Sequence, residues 1–295
     1  MNHALRFGIL AVQNIPWTKE VERWHFIETL GFDSLWIADH FVDPYQPDSP
    51  WFESWTLLAA LASQTDHLRI GTLVTSIPLR NPAILARQAI TVDHISNGRL
   101  ELGLGSGVSW DPVYSMIGIE NWSPQERVAR FREVVEIIDQ CFRSRVTSYE
   151  GQYFHLRDAV MNPSPIQQPR PPITIAAVKP VMLKIAARYA DAWNFVPGEW
   201  DTPPNKMLQR TTRKNQLLDG YCEEIGRDPQ TIRRSLLVFG AEARTAFNSV
   251  DTFETIVRNY QEVGITEFIF YYPLTEEQIP VFTQIAREVI PRLRK

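Results

Sequence analysis

The fold is decided by residues 69–107, which read RIGTLVTSIPLRNPAILARQAITVDHISNGRLELGLGSG. Together with the two residues before it, this stretch predicts a strand over His67–Val74, a helix over Pro82–Ile95 and a second strand over Arg99–Leu104. A strand, a helix and a strand in this order are typical of a parallel sheet with crossover helices.

The same unit recurs on both sides of this stretch. Upstream, Leu5–Val12 and Phe32–Ala38 are predicted strands separated by a helix over Thr18–Leu30. Downstream come a long helix from Ser123 to about Arg143, a β-hairpin insert and a proline-rich connector, and then the strands Ile173–Ala177, Asp191–Phe195, Arg233–Phe239 and Glu267–Tyr271. The hairpin pairs Val146–Tyr149 with Tyr153–Leu156. We therefore predict an α/β fold, a (β/α)8 TIM barrel with a β-hairpin insertion, as one domain over residues 1–295; a doubly wound open sheet is the alternative.

Composition excludes several classes of protein. The net charge of −4 is small and its carriers are scattered, so no basic stripe suggests nucleic-acid binding. The N-terminal residues 1–6 show no signal region and no apolar run has membrane-spanning length, which predicts a cytoplasmic protein. Cys141 and Cys222 form no CxxC pair and are predicted to be free thiols.

In a parallel barrel, binding residues cluster just after the C-terminal ends of the strands. This rule selects a set of candidates: Gln13, Asn14, Asp39, His40, Thr75, Ser76, Gly105–Gly107, Val178, Lys179, Asn194, Glu242 and Tyr272. Trp51 and Trp110 lie in loops at the same end and are candidate walls for an aromatic cofactor or an apolar substrate.

The dipeptide Asp-His occurs three times, at residues 39–40, 66–67 and 93–94. Only Asp39-His40 follows the C-terminal end of a strand, where an imidazole is suited to general acid–base work near neutral pH. A hydrogen-bonded core pair is the alternative interpretation of these two residues.

Two turns are candidates for binding a phosphate or a ribityl chain. Gly103-Leu104-Gly105-Ser106-Gly107 lacks the GxGxxG spacing of a dinucleotide site, and a tight turn without a ligand is the alternative. Ala176-Ala177-Val178-Lys179 leads into a helix whose free N–H groups would attract an anion, and an ordinary βα turn is the alternative.

Metal binding and hydrolysis are not supported. The six histidines show no HxH or HxxxH spacing, and the chain has no GxSxG nucleophile elbow.

Four stretches together resemble the luciferase-like monooxygenase superfamily, and more closely its branch that uses the deazaflavin coenzyme F420. They are GFDSLWIADHF (31–41), residues 69–107 quoted above, YEGQYFHLRDAVMNPSPIQQPRPPITIAA (149–177) and AARYADAWN (186–194). The resemblance covers nearly the whole chain and implies the same barrel.

The resemblance also implies roles for particular residues. Asp39 and His40 match residues at the deazaflavin ring, Thr72-Leu73 matches a non-proline cis peptide behind the ring, and Thr75 matches a hydroxyl near the ring. Two further groups match loops that hold the ribityl chain and phosphate: Ser106 and Gly107, and Ala176, Ala177, Val178 and Lys179.

One departure from the family pattern concerns the proton donor. The sugar-phosphate dehydrogenases of the branch carry a carboxylate after the glycine turn, where this chain has Val108, Ser109 and Trp110. This argues against a sugar-phosphate substrate and leaves His40 as the candidate proton carrier.

The resemblance implies an F420-dependent oxidoreductase that transfers hydride to or from a small, largely apolar organic molecule, with His40 moving the substrate proton. One alternative is a two-component monooxygenase that uses FMN reduced by a separate reductase. Another is a non-catalytic flavin-binding barrel. Relatives are often dimers, so a homodimer is also expected.

Overall fold

The computed structural model describes residues 4–295, so the N-terminal part of the localisation prediction, residues 1–3, lies outside the described residues. The strands in the described residues are β1 (Arg6–Leu10), β2 (Ser34–Ile37), β3 (Arg69–Thr72), β4 (Thr75–Ser76), β5 (Leu100–Gly105), β6 (Val146–Glu150), β7 (His155–Val160), β8 (Ile173–Ala176), β9 (Ala192–Phe195), β10 (Arg233–Leu237) and β11 (Glu267–Tyr271). The α-helices are α1 (Trp17–Thr29), α2 (Ser54–Gln64), α3 (Pro82–Ile95), α4 (Val113–Met116), α5 (Pro124–Arg143), α6 (Pro180–Tyr189), α7 (Pro204–Glu224), α8 (Gly240–Thr245), α9 (Val250–Gln261), α10 (Ile279–Gln284) and α11 (Ile290–Leu293).

These elements form two compact units. The first contains residues 4–12, 25–36 and 174–295, and the second contains residues 13–24 and 37–173. In the first unit, six parallel strands lie in the order β2-β1-β11-β10-β9-β8. Their core is rich in phenylalanine: Phe253 lies 5.9 Å from Phe7 and 5.0 Å from Phe270 between ring centroids.

In the second unit, β5 pairs in parallel with both β3 and β4, and α2, α3 and α5 belong to the same unit. The helix α3 has the predicted bounds, and Asn81 caps it by accepting from the amides of Ala83 and Ile84. None of the helices within residues 4–295 is long and apolar enough to cross a membrane.

The β-hairpin is present, but its second strand differs from the prediction. β7 covers His155–Val160 rather than Tyr153–Leu156. The reason is Glu133 of α5, whose carboxylate accepts from the backbone amides of Gln152, Tyr153 and Phe154 and so holds them outside the ladder. A Cβ at Gly151 would lie 2.3 Å from the same carboxylate, so a larger residue there would displace the Glu133 side chain from these amides.

The helix α7 received no bounds from the sequence, although Cys222 falls in a helix-like segment. Its buried residues Met207, Thr211, Leu218 and Cys222 follow helical spacing, but the stripe is narrow and the rest of the helix is polar. Both Cys141 and Cys222 are free and buried, and burial raises the pKa of each thiol.

The first turn of α1 contains a fully buried carboxyl, Glu20. Neither of its carboxylate oxygens has a hydrogen bond of normal geometry within the described residues. The Ile15 backbone and the Trp24 indole lower the pKa of Glu20 only weakly. Burial raises the pKa of Glu20 to about 7, and Arg23, whose Nη1 lies 3.9 Å from Oε1, offsets only part of this effect.

We expect Glu20→Met to stabilise the protein above neutral pH. The folded-state pKa of Glu20 exceeds its unfolded value, so the cost of ionising the buried group grows between about pH 4.5 and 7 and is constant above that. Its full size is about 3 kcal/mol, so the Tm of the variant relative to wild type should rise by roughly 5 °C between the acidic and alkaline ends of this window. Calorimetry across pH measures this, and a Tm difference independent of pH would contradict it.

Candidate active site

The end of β2 is fixed by Gln13, which is fully buried. Its side-chain amide pairs with both backbone groups of Ala38: Nε2 donates to the Ala38 carbonyl, and Oε1 accepts from the Ala38 amide at 3.2 Å. The Ser54 hydroxyl donates to the same carbonyl at 2.6 Å. These contacts set the direction in which the chain leaves the strand toward Asp39 and His40.

His40 is paired with a carboxylate. Its Nδ1 lies 2.6 Å from Oδ2 of Asp111, and the Trp51 indole donates to the His40 carbonyl at 2.8 Å. The His40 side chain is 27% exposed, whereas that of Asp111 is 4% exposed. Because a carboxylate only accepts, the proton of the neutral ring is assigned to Nδ1, which leaves Nε2 as the basic nitrogen.

Asp111 is held in its ionised form. Burial by itself would raise the pKa of Asp111, but the hydrogen bonds from His40 and from the Val113 amide outweigh it and hold the pKa below its ordinary value. The pair therefore combines a permanent acceptor with a ring that has one free nitrogen, the arrangement that suits a general base.

A carboxylate does follow the glycine turn, directly beyond the three positions that depart from the family pattern. Val108, Ser109 and Trp110 are exposed and carry no carboxylate, and Asp111 comes directly after them. Its Oδ1 also accepts from Val113 at the start of α4, so an acidic residue before Pro112 and a helix was the signal available in the sequence.

Asp39 does not expose its carboxylate. The residue is 2% exposed, and its oxygens accept from the Ser76 amide at 3.0 Å and from Arg80 Nη2 at 2.5 Å. Arg80 Nη2 also donates to Glu53 at 2.7 Å, and Glu53 caps α2. The predicted contact between Asp39 and a cofactor ring stays a prediction. Within the second unit, its side chain joins the segment at Asp39 to β4 and, through Arg80, to the cap of α2.

The interactions among Asp39, Arg80 and Glu53 favour the charged forms of Arg80 and Glu53. Burial acts to raise the pKa of Glu53, but hydrogen bonds from Thr56 and Arg80 outweigh it and lower the pKa to about 2. Burial acts to lower the pKa of Arg80, and the neighbouring Asp39 and Glu53 raise it instead. Neither Arg80 nor Glu53 was selected from the sequence, because neither follows a strand directly.

The segment after β3 contains a non-proline cis peptide, one residue later than predicted. It joins Leu73 to Val74, not Thr72 to Leu73, because β3 continues through Thr72 and the chain crosses to β4 only after it. The hydroxyls of Thr72 and Thr75 lie 2.6 Å apart and both residues are fully buried.

Two of the three glycines in the predicted turn pack closely against the segment after β3. A Cβ on Gly103 would lie 1.9 Å from the Thr72 carbonyl oxygen, and one on Gly105 would lie 2.4 Å from a Val74 methyl group. Gly107 has a φ of +74°, and Ser106 accepts from Arg127 through its carbonyl at 3.2 Å. The close approach of the backbone and of Val74 thus explains Gly103 and Gly105. Ser106 is half-buried, and its hydroxyl donates a long hydrogen bond of 3.5 Å to the Gly107 carbonyl.

The turn Ala176–Lys179 belongs to the other unit. Ala177 is buried and its carbonyl accepts from the Trp193 indole at 2.8 Å, whereas Val178 and Lys179 are exposed. The helix α6 begins at Pro180 without a side-chain cap. Unused N–H groups at the start of a helix, beside an exposed ammonium, are a donor set that fits a phosphate.

Two other candidates at strand ends form hydrogen bonds within the first unit. Asn194 donates to the Ser235 hydroxyl at 3.0 Å, and Glu242 accepts from the Tyr260 hydroxyl at 2.7 Å. Burial raises the pKa of Glu242. Both residues are buried, so their first role is structural.

The other two Asp-His pairs do not form such a site. Asp93 is fully buried and accepts from the amides of Ile166 and Gln167, while His94 contacts the Ser164 carbonyl, so this pair anchors the proline-rich connector. Asp66 and His67 are exposed at the start of β3. Within residues 4–295 no group of three or more His, Cys, Asp or Glu side chains is placed to hold a metal ion.

The model of the luciferase-like monooxygenase family matches residues 5–278. The F420-dependent glucose-6-phosphate dehydrogenase of Amycolatopsis mediterranei (strain U-32) is 27% identical, over 90% of this chain and 92% of its own length. The enzyme of the same name from Segniliparus rotundus is 32% identical over 68% of this chain and 58% of its own length. A solved F420-dependent secondary alcohol dehydrogenase in complex with an F420–acetone adduct superimposes with a TM-score of 0.82 at 19% identity, covering 97% of this chain and 99% of that one.

The chain belongs to the luciferase-like monooxygenase family, and the predicted resemblance is confirmed. The likeness to the solved alcohol dehydrogenase confirms the (β/α)8 TIM barrel, and the open-sheet alternative was wrong. The prediction of an oxidoreductase is confirmed as well.

Proposed function

We propose that this chain is an F420-dependent oxidoreductase that interconverts a small alcohol and the corresponding carbonyl compound. The observation that carries the proposal is the His40–Asp111 pair, with its 2.6 Å contact and a partly exposed ring at the end of β2. The relatives named as F420-dependent dehydrogenases support the choice of cofactor.

The deazaflavin, when bound, supplies a ring carbon that accepts or donates hydride. Of the chain's own residues, Ser106, Gly107 and the turn Ala176–Lys179 would hold the ribityl chain and phosphate, and Leu73 and Thr75 would lie by the ring. His40 Nε2 takes the proton of the substrate hydroxyl as hydride leaves its carbon, and returns it in the reverse direction. Asp111 keeps the proton on Nδ1 and stabilises the imidazolium that results.

The proposed substrate is largely apolar. The loop over residues 105–112 contains no lysine or arginine, and Val108, Ser109 and Trp110 stand in the neighbourhood where the sugar-phosphate dehydrogenases have a carboxylate. An anionic substrate would find no partner on this loop.

Titration of the purified protein with F420 and, separately, with FMN tests the proposal, using absorbance and fluorescence of each cofactor. Saturable binding of F420 and its reduction by neutral alcohols is the expected result. Tight FMN binding with no F420 binding, together with oxygen uptake when reduced FMN is supplied, would replace it with the monooxygenase alternative.

We expect Asp111→Asn to lower turnover roughly 100- to 10,000-fold without changing the affinity for F420. The amide can present either oxygen or nitrogen to His40 Nδ1, so one tautomer is no longer enforced. Nitrogen-15 NMR of the histidine side chains measures this without turnover: His40 should change from a single Nδ1–H tautomer to a mixture. An unchanged His40 signal would remove Asp111 from this role.

A homodimer and a cytoplasmic location stay predictions, as does the single domain over residues 1–295. A separate reductase is a prediction of the monooxygenase alternative only.

A further inference from the structure

Two exposed aromatic side chains contact each other beside the His40–Asp111 pair. The ring centroids of Tyr45 and Trp110 lie 5.6 Å apart with an interplanar angle of 38°. Tyr45 is 61% exposed and Trp110 is 55% exposed. Tyr45 lies on the loop after β2 that carries His40, and Trp110 directly precedes Asp111, so the contact joins the two loops that form the pair.

Exposed aromatic side chains are concentrated on these loops. Among residues 4–295 only four aromatic side chains are largely exposed, namely Trp17, Phe41, Tyr45 and Trp110. Three of the four lie within five residues of His40 or Asp111 in the sequence. A soluble protein has no folding reason to expose large rings at one place, and such patches next to reactive groups mark binding surfaces.

The charges of the two loops restrict what this surface accepts. Residues 38–53 and 105–112 contain no lysine or arginine. Of their acidic residues, Asp39, Glu53 and Asp111 form the ion pairs described above, and Asp43 accepts from the amides of Tyr45 and Gln46. Asp43 thereby fixes the turn that presents Tyr45, and the surface offers ring faces without a cation to hold an anionic group. Asp48 is exposed, and its negative charge further disfavours an anionic ligand.

We propose that Tyr45 and Trp110 bind a flat, uncharged ring of the substrate next to the carbon that His40 serves. The substrate class is then an aryl carbinol and its aryl ketone. This inference rests on the proposed function for the reaction, but the binding surface itself is independent of turnover. Ring faces prefer offset or tilted stacking with another ring, which a saturated ring of equal size cannot reproduce.

The test compares three ketones that share the reacting group: acetophenone, cyclohexyl methyl ketone and acetone. Dissociation constants are measured by calorimetry and saturation-transfer NMR, with the protein alone and with F420. We expect acetophenone to bind more tightly than cyclohexyl methyl ketone, and both more tightly than acetone. In Trp110→Ala and Tyr45→Ala, acetophenone should bind roughly tenfold more weakly, and Trp110→Phe should retain most of the affinity.

Ile84→Ala is the matched control, because it removes another apolar side chain, 62% exposed, from α3. It should leave all three constants unchanged, and circular dichroism with thermal unfolding confirms that each variant folds. Equal affinities for the two ring ketones, no binding of acetophenone, or an undiminished affinity in Trp110→Ala would each overturn the proposal. If acetophenone binds in a way that depends on Trp110 but F420 does not bind, the proposed binding surface is upheld. The proposed F420-dependent reaction is then contradicted.

Discussion

Replacement of His40 by alanine should reduce turnover by roughly 100- to 10,000-fold while leaving the affinity for F420 nearly unchanged. The ring is the one group at the end of β2 that combines partial exposure with a carboxylate partner, so its loss removes the proton acceptor. The carboxylate of Asp39 accepts hydrogen bonds from Arg80 and from the Ser76 amide, so Asp39 cannot replace His40 as the proton acceptor. The measurement is steady-state oxidation of the best neutral alcohol with F420, beside a binding titration of F420.

His155→Ala is the matched control for this substitution. His155 also contacts a carboxylate through Nδ1, with Glu150 at 3.0 Å, but it lies on the hairpin and its side chain is 62% exposed. It should retain wild-type turnover. A His40→Ala variant with undiminished turnover would exclude this histidine from proton transfer, whatever the cofactor proves to be.

Arg80→Met should cost about 3–5 kcal/mol of stability, because it leaves a buried carboxylate without its counter-ion. The side chain of Asp39 is 1% exposed and that of Arg80 is 14% exposed, so water compensates little. The Ser76 amide is the remaining hydrogen bond to Asp39. Urea unfolding measures the loss, and the slope with denaturant shows whether the transition stays two-state.

Two variants make this result specific. Arg143→Met breaks the exposed pair with Asp139 on α5, where the arginine side chain is 46% exposed, and should cost less than about 1 kcal/mol. Asp39→Asn combined with Arg80→Met removes the unpaired charge and should recover part of the loss. If Arg80→Met were as mild as Arg143→Met, the network could not be what holds Asp39, β4 and α2 together within the second unit.

The sequence was sufficient for the fold, and for the candidate site it selected His40 but not the carboxylate that pairs with it. Local periodicity gave α3 and β11 their exact bounds, and the position after a strand separated Asp39-His40 from its two copies. The narrow apolar stripe of α7 gave no bounds for that helix, because only four of its residues are buried. Tertiary contact with Glu133 moved the start of β7, which no local pattern could indicate.

The residues that sequence reasoning missed are the partners of His40 and Asp39, which are distant from them in the sequence. His40 and Asp111 are 71 residues apart, and Asp39 and Arg80 are 41 apart. No spacing rule connects such residues, because their proximity arises only when the strands are arranged side by side. The role of the glycines was equally hidden: that Gly103 faces the Thr72 carbonyl depends on how closely β3 and β5 approach.

The adjacency of Trp110 and Asp111 has a consequence for how such an enzyme changes over time. One short loop carries both the ring proposed to choose the substrate and the carboxylate that orients the base. An insertion or deletion between Gly107 and Pro112 would displace both together, so a new substrate range could not be acquired by changing loop length without also disturbing the chemistry. Diversification of this enzyme is therefore expected to proceed by point substitutions at positions 45, 108 and 110, with the length of the loop unchanged.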